Sequence, residues 1–453
     1  MNWLKKHALQ KPHKKFLNEL TFAQVDKKVT DLAVRLFPFV KNQHRVALYA
    51  NNSEEMVLFF LALQFLHIEV LMLNTRLTSE EINKKLHALS IQVVFSHDDS
   101  FISFSEVFQS NSDIREDIKL AEEFAPEQIA VIMDTSATSG EFKSVPLRWK
   151  QLYAHVKASR QILGVREEDN WLMVLPMYHI SGLMILMRSL YNGTSITILE
   201  KFAEEKVLKL IEDASVNMLS VVPTMFNRIV DRIYKHRLRV VLVGGEFIPK
   251  PLVETCLLKK IPVYKTYGMT ETTSQSTTFS VLDVPHKIDS VGLPLPEVTI
   301  RINNPDVEGI GEICIKSPMV MDGYLGQEPV SGFFHTQDIG YVDEDGYLYI
   351  IDRRTNIIIS GGENIYPREI ENALYTHPDV KECAVVGMRD PKWGQVPALF
   401  VVSSLQNEDI LNYLAPKIAK YKLPKKIFNV DELPKNALGK ILKKSLVEKY
   451  DVN

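Results

Sequence analysis

Short apolar runs alternate with amphipathic stretches along the first two-thirds of the chain, and that alternation predicts its elements. Val46–Ala50, Glu69–Leu73 and Val93–Ser96 have the length and unbroken apolar character of buried strands. Between the first two, Ser53 opens a helical pattern that runs through Met56–Phe60 to Leu66. Thr78, with Glu81 three residues on, matches a capping box before another helix. Further strands are read at Ile129–Met133, Trp171–Leu175, Ile196–Leu199, Met218–Val222, Val240–Val243 and Ile261–Tyr264. Helical patterns cover Glu204–Ala214 and Thr224–Tyr234. Such β/α alternation predicts an α/β fold with mostly parallel sheets, helices on both faces, and ligands beyond the C-terminal ends of the strands.

The pattern changes near Pro294. Val298–Ile302 and Glu312–Ile315 are short strands among Gly and Pro turns, and Asp345-Gly346 is a tight turn before the strand Tyr347–Ile350. After Asp352-Arg353-Arg354 a separate α+β unit begins, with Pro367 suited to the first position of a helix. The expected organisation is therefore a large N-terminal domain over 1–352, including a small β unit from about 294, and a small C-terminal domain over 353–453.

Composition narrows the class. The 453 residues carry a net charge of -3, so nucleic acid is not expected as a partner. Cys256, Cys314 and Cys383 have no metal-type spacing and suit buried positions in a reducing cytoplasm. No signal peptide is read in Met1–Leu17, and Met56–Leu66 is about half the length that spans a bilayer, so no membrane insertion is expected.

Several loops carry ligand chemistry. In Thr266–Gln275, Gly268 lets the chain turn without a Cβ penalty, Thr270 offers a hydroxyl to phosphate oxygens, and Glu271 offers a hard oxygen to Mg²⁺. Thr135, Ser136, Thr138, Ser139, Gly140 and Lys143 place hydroxyls, amides and a cation in one loop, which suits a polyphosphate. Gly244-Gly245-Glu246 follows a strand, and its glycines allow backbone to approach a flat ring on which Tyr267 can stack. Taken singly, each has a plainer reading as a solvated turn or a helix cap.

The ordered set resembles the AMP-forming adenylating superfamily of acyl-CoA synthetases, luciferases and peptide-synthetase adenylation domains. Tyr267-Gly268-Met269-Thr270-Glu271 resembles its Y-G-x-T-E core, and Thr135–Lys143 its phosphate loop, with Ala137 in place of the first glycine and Asp134 in place of an aromatic residue. His335–Tyr341 resembles the H/R-T-G-D motif, with Gln337 where glycine is usual. The resemblance implies that Asp338 and Arg353 bind ribose or phosphate, that Gly244–Glu246 receives adenine, and that His179, in Leu175–Gly182, lines the acyl pocket. It further implies a hinge at Thr355, a passage for the pantetheine arm of coenzyme A at Gly361-Gly362, and a catalytic Lys440 acting with Thr270 and Glu271.

The implied reaction has two steps. A carboxylate attacks the ATP α-phosphate to give acyl-AMP and pyrophosphate, with Mg²⁺ held partly through Glu271; the mobile C-terminal domain then rotates, and coenzyme A displaces AMP. Asn74–Thr78, the run from Leu175, and Gly361–Pro367 are most similar to the branch that ligates 2-succinylbenzoate in menaquinone synthesis. Its second carboxylate needs a receptor, for which Ser181, Arg188 and Ser274 are candidates. A ligase for another aryl or medium-chain acid, and a non-catalytic adenylate-binding protein, are the alternatives. Homo-oligomerisation is left open. Asp134 is expected to repel triphosphate if it faces the loop, and Ala137 to weaken ATP binding through backbone strain.

Overall fold

The computed structural model describes residues 2–110, 118–136, 142–360, 363–436 and 439–450, with Ser136 and Phe142 described as backbone only. Ala137, Thr138, Ser139, Gly140, Gly361 and Gly362 therefore lie outside the described residues.

The N-terminal two-thirds forms two sheets where the sequence suggested one continuous alternation. The six-stranded sheet has the order 102–103, 94–96, 45–49, 69–72, 129–136, 142–148, and is parallel except at its last pair. The nine-stranded sheet runs from Leu293–Pro294 through Thr277–Ser280, Val263–Tyr267, Val240–Val243, Met218–Val221, Asn170–Met173, Ser195–Ile198 and Lys15–Leu17 to Leu20–Thr21. It is parallel in the middle and antiparallel at both ends.

The helix Glu54–Phe65 packs against the helix Phe22–Val40 in the largest core. Every residue from Met56 to Phe65 is buried, which explains why the helix is apolar all round. Its one interior amide, Gln64, donates to Ala130 O at 3.0 Å. The caps read from sequence form as expected: Ser53 accepts from the Met56 amide, and Thr78 and Glu81 exchange both capping-box bonds.

A four-stranded antiparallel unit follows, built from Thr299–Asn303, Gly311–Lys316, Phe334–Val342 and Leu348–Arg353. The C-terminal part packs the helices Pro367–Tyr375 and Asn407–Leu414 on a five-stranded sheet centred on the hairpin Val380–Asp390/Gly394–Ser403. Pro367 occupies the first turn of its helix as expected. Among the described residues no helix is long and apolar enough to cross a membrane.

Three sequence readings shift. The strand placed at Ile261–Tyr264 forms at Val263–Tyr267, so Tyr267 belongs to the strand itself. The helix expected over Thr224–Tyr234 is a short helix, Pro223–Asn227, and a 3₁₀ turn, Val230–Arg232, because Ile229 breaks the helical conformation with ψ -20° and φ -122°. Thr135 and Lys143, read as parts of a loop after a strand, lie on paired strands: Ile129–Ser136 pairs antiparallel with Phe142–Arg148, and Thr135 lies opposite Lys143.

Candidate nucleotide and acyl site

Parallel strands carry their C-terminal ends to one edge of the nine-stranded sheet, and two of the predicted turns follow adjacent strands there. Val240–Val243 leads into Gly244–Glu246, and Val263–Tyr267 leads into Gly268–Glu271. Gly268 is required by proximity, not by its own φ: a Cβ there would lie 1.6 Å from Ser274 O. Gly244 is likewise pressed against Thr266, while Gly245 adopts φ 84°.

The ribose candidates converge. Asp338 is buried, accepts from the Tyr267 hydroxyl at 2.7 Å and pairs with Arg353 Nε at 3.1 Å. Burial, and then the Asp338 charge, hold the Tyr267 phenol well above its ordinary pKa, so it remains a donor. Its ring packs beside Ile313, Ile315 and Leu348. Asp338 is aimed by a bulge in which Gln337 takes φ 63°; this left-handed conformation is why glycine suits that position, and glutamine occupies it at a cost of about 1 kcal/mol.

Glu271 sits in the 3₁₀ turn Thr270–Thr272, and its Oε1 accepts from the Tyr324 hydroxyl at 2.9 Å. Lys143 Nζ lies 4.9 Å from the centre of the same tyrosine ring. Tyr324 thus connects the acidic residue of one motif to the lysine of another. Sequence reasoning missed it, since a lone tyrosine between two proline-containing turns carries no motif signal. Thr135 Oγ1 faces its hairpin partner, 3.4 Å from Lys143 O. The hard oxygens of Thr270 and Glu271 fit Mg²⁺, and one Glu271 oxygen is not used by Tyr324.

Asp134 does not act as expected. Its carboxylate pairs with Lys85 and accepts from Ser144 Oγ at 2.7 Å, and both partners of the ion pair are largely buried. The charge that was to repel triphosphate is internally balanced.

Lys440 reaches this edge from the other end of the chain. Its loop is closed by the Lys435–Ile441 bridge, and Asn436 holds Lys440 through bonds of 2.8 and 2.9 Å. Gly439, at φ 87°, rests on Thr224, whose Oγ1 would lie 2.4 Å from a Cβ there. The lysine is exposed, yet protein crowds it: desolvation and then Arg353 lower its pKa to about 8, against the opposing effect of Glu246. Burial raises Glu246 to about 7, with Lys440 the strongest charge holding it down. Glu246, at the end of the Gly244–Glu246 turn, therefore interacts with Lys440.

The acyl candidates divide between the helix Ile180–Asn192, with His179 at its start, and the turn after Val263–Tyr267, which carries Ser274. His179 caps the helix Ile180–Asn192, and burial, followed by Arg76, lowers its pKa to about 4, which leaves a neutral ring with no bond to Nε2. Ser181 is half-buried in the first turn of that helix. Ser274 is held at φ 89° against Gly268. Arg188 is enclosed, with Nε bonded to Ser159 at 3.2 Å and a terminal nitrogen to Gln275 Oε1 at 2.7 Å, over the Trp171 ring. It supports the turn from beneath, through Gln275.

A second carboxylate missed by the sequence reading, Asp352, is fully buried at the end of the β unit. It accepts from the Asn356 side chain at 3.0 Å and from the Arg368 amide at 3.0 Å, so it spans the turn Arg354–Asn356 that contains the exposed Thr355.

The AMP-binding enzyme family matches residues 4–325, and the AMP-binding enzyme C-terminal domain matches 369–440. The chain belongs to the AMP-binding enzyme family. It is 52% identical to the 2-succinylbenzoate--CoA ligase of Lactococcus lactis over 98% of this chain and 100% of that protein. It also resembles the o-succinylbenzoate CoA synthetase of Bacillus subtilis. The complex with the acyl-adenylate intermediate OSB-AMP is 33% identical, covers 100% of this chain and 98% of that one, and superposes with a TM-score of 0.93. The complex with ATP and magnesium ion is 33% identical over 98% and 99%, with a TM-score of 0.91. A double mutant bound to the product analogue OSB-NCoA is 34% identical over 98% and 97%, but its TM-score is 0.75.

Proposed function

We propose that this chain is an AMP-forming acid–thiol ligase that joins 2-succinylbenzoate to coenzyme A through an acyl-adenylate. The observation that carries the reading is Lys440 at the nucleotide edge with Asp338, Arg353 and Glu271, in a chain more than half identical to a named ligase of this substrate over its whole length. As the resemblance implies, the product serves menaquinone synthesis.

The residues divide the first step among them. Asp338 receives the ribose hydroxyls, and Arg353 fixes its carboxylate. The Gly244–Glu246 turn admits adenine. Lys143 and the hairpin end hold the terminal phosphates, and Lys440 stabilises charge growing at the α-phosphate as the acid carboxylate attacks and pyrophosphate leaves. Glu271 and Thr270 would hold Mg²⁺, which supplies neutralisation of phosphate charge. No base is required, because the attacking carboxylate is already ionised. For the second step, the reading is that a C-terminal domain beginning at about residue 353 rotates about Thr355, withdraws Lys440 and brings the segment around Gly361-Gly362 to the site. The coenzyme A thiolate then attacks the acyl carbon and AMP leaves.

The test is a comparison of acids with ATP, Mg²⁺ and coenzyme A. 2-Succinylbenzoate should give the thioester with at least about a hundredfold higher kcat/KM than benzoate or octanoate, since its second carboxylate, once recognised, is costly to omit. A higher kcat/KM for either competitor overturns the substrate assignment and leaves the ligase chemistry standing.

A further inference from the structure

The antiparallel unit gathers three side chains that the nucleotide site does not use. Cys314 lies directly opposite His335 in the ladder between Gly311–Lys316 and Phe334–Val342. Glu312 lies two residues before Cys314, on the same side of its strand. Glu312 pairs with Ile339 while Cys314 pairs with His335, so the partner strand carries extra residues between them. That bulge places the Gln337 amide on Glu312 Oε1 at 3.2 Å and turns the carboxylate toward the histidine.

The resulting geometry is compact. Cys314 Sγ is 3.4 Å from His335 Nδ1, and His335 Nδ1 is 3.0 Å from Glu312 Oε2. All three atoms lie within 4.8 Å of one another. A tetrahedral centre with zinc-like bonds separates its ligand atoms by about 3.3–3.7 Å, so small side-chain adjustments suffice. Thiolate, imidazole and carboxylate are also the donor types that a borderline divalent ion prefers. A cavity of about 460 Å³, lined by Glu312, His335, Gln337, Arg354 and Thr355, opens beside the cluster and leaves a fourth position for water.

We propose that Glu312, Cys314 and His335 form a three-ligand site for a zinc-class divalent transition metal, next to the turn Arg354–Asn356. On binding, the thiol proton passes to solvent and the sulfur, the Nδ1 lone pair and one carboxylate oxygen each bond the ion. Arg301 opposes it: this residue is the ladder partner of Cys314, its guanidinium interacts with the thiol, and it also lies 4.3 Å from the centre of the Phe333 ring. Its positive charge lowers the affinity.

Tag-free enzyme titrated with Zn²⁺ by calorimetry should bind one equivalent that excess Mg²⁺ does not displace. Co²⁺ at the same site should give a thiolate-to-cobalt charge-transfer band. Cys314→Ser should abolish the band and weaken Zn²⁺ binding by roughly tenfold or more, and His335→Ala should weaken it similarly. Arg301→Gln should tighten it. Glu312→Gln preserves shape at a half-buried position and reports by the same loss where Cys314→Ser fails to fold. Absence of stoichiometric Zn²⁺, or binding that ignores the Cys314 and Glu312 substitutions, overturns the proposal.

Discussion

Lys440 is an acid with an unusual set point. Its pKa of about 8 lies below the ordinary lysine value, so its positive charge is present below pH 8 and is lost as pH rises through that value. The kcat/KM for adenylate formation should therefore fall on the alkaline side with a midpoint near 8. Glu246→Gln removes the carboxylate that sustains the charge, and should move this limb to lower pH; pyrophosphate exchange measured across pH checks both. Tyr324→Phe deletes one bond to the Glu271 carboxylate and keeps the ring beneath Lys143. A bond to a charged group contributes about 2 kcal/mol, so kcat/KM for ATP should drop by roughly thirtyfold with little change in melting temperature. For Asp134, the structure reverses the sign expected from sequence. Asp134→Phe removes the carboxylate partner of Lys85 and should destabilise the fold by about 3 kcal/mol in urea unfolding instead of improving ATP binding. At this scale the sequence named candidate groups, because hydroxyls, glycines and charges cluster in turns. It did not show who neutralises whom: Lys85 is 49 residues from Asp134, and Tyr324 is 53 from Glu271.

At the scale of elements, legibility followed periodicity. Central parallel strands such as Val240–Val243 are buried on both faces and read as unbroken apolar runs. The hairpin strand Phe142–Arg148 contains Lys143, Ser144, Pro146 and Arg148, and such a mixed run gives no strand signal. The hinge proposed at Thr355, in the turn Arg354–Asn356, rests only on resemblance, since a hinge needs conformational tolerance and no particular side chain. Its fastening was invisible. Asp352 bonds the amide of Arg368 across that turn, and a rotation that carries the helix Pro367–Tyr375 away must break the bond. Asp352→Ala should therefore weaken the arrangement in which Lys440 meets the nucleotide. Adenylate formation is expected to fall more than thioester formation from pre-made acyl-adenylate, and an equal fall in both assays would show that Asp352 serves stability alone.

At the scale of the whole molecule, the candidate site brings together residues far apart in the chain, Glu246, Asp338, Arg353 and Lys440. Lys440 belongs to a unit whose own core, around Ile370, Val385 and Leu399, is separate from the cores beneath the nucleotide turns. If that unit turns between steps, Lys440→Ala should slow adenylate formation by several hundredfold, about 3–4 kcal/mol. It should leave thioester formation from synthetic acyl-adenylate within a few-fold of the unaltered enzyme. Rapid-quench measurement of the two half-reactions distinguishes this from a general loss of activity.

The three thiols have a use beyond packing. Cys256 lies in a core of the nine-stranded sheet, Cys314 in the antiparallel unit and Cys383 in the C-terminal core, all unbridged and buried. Each region thus contains its own chemical clock. An alkylating reagent cannot reach Cys256 or Cys383 until the core around it opens, and it reaches Cys314 only when the Glu312–His335 cluster beside the cavity parts, so the labelling rate at each cysteine reports the opening of that region alone. Mass spectrometry of timed alkylation would follow three parts of one unmodified chain at once, and would reveal which of them loosens first as substrates are added.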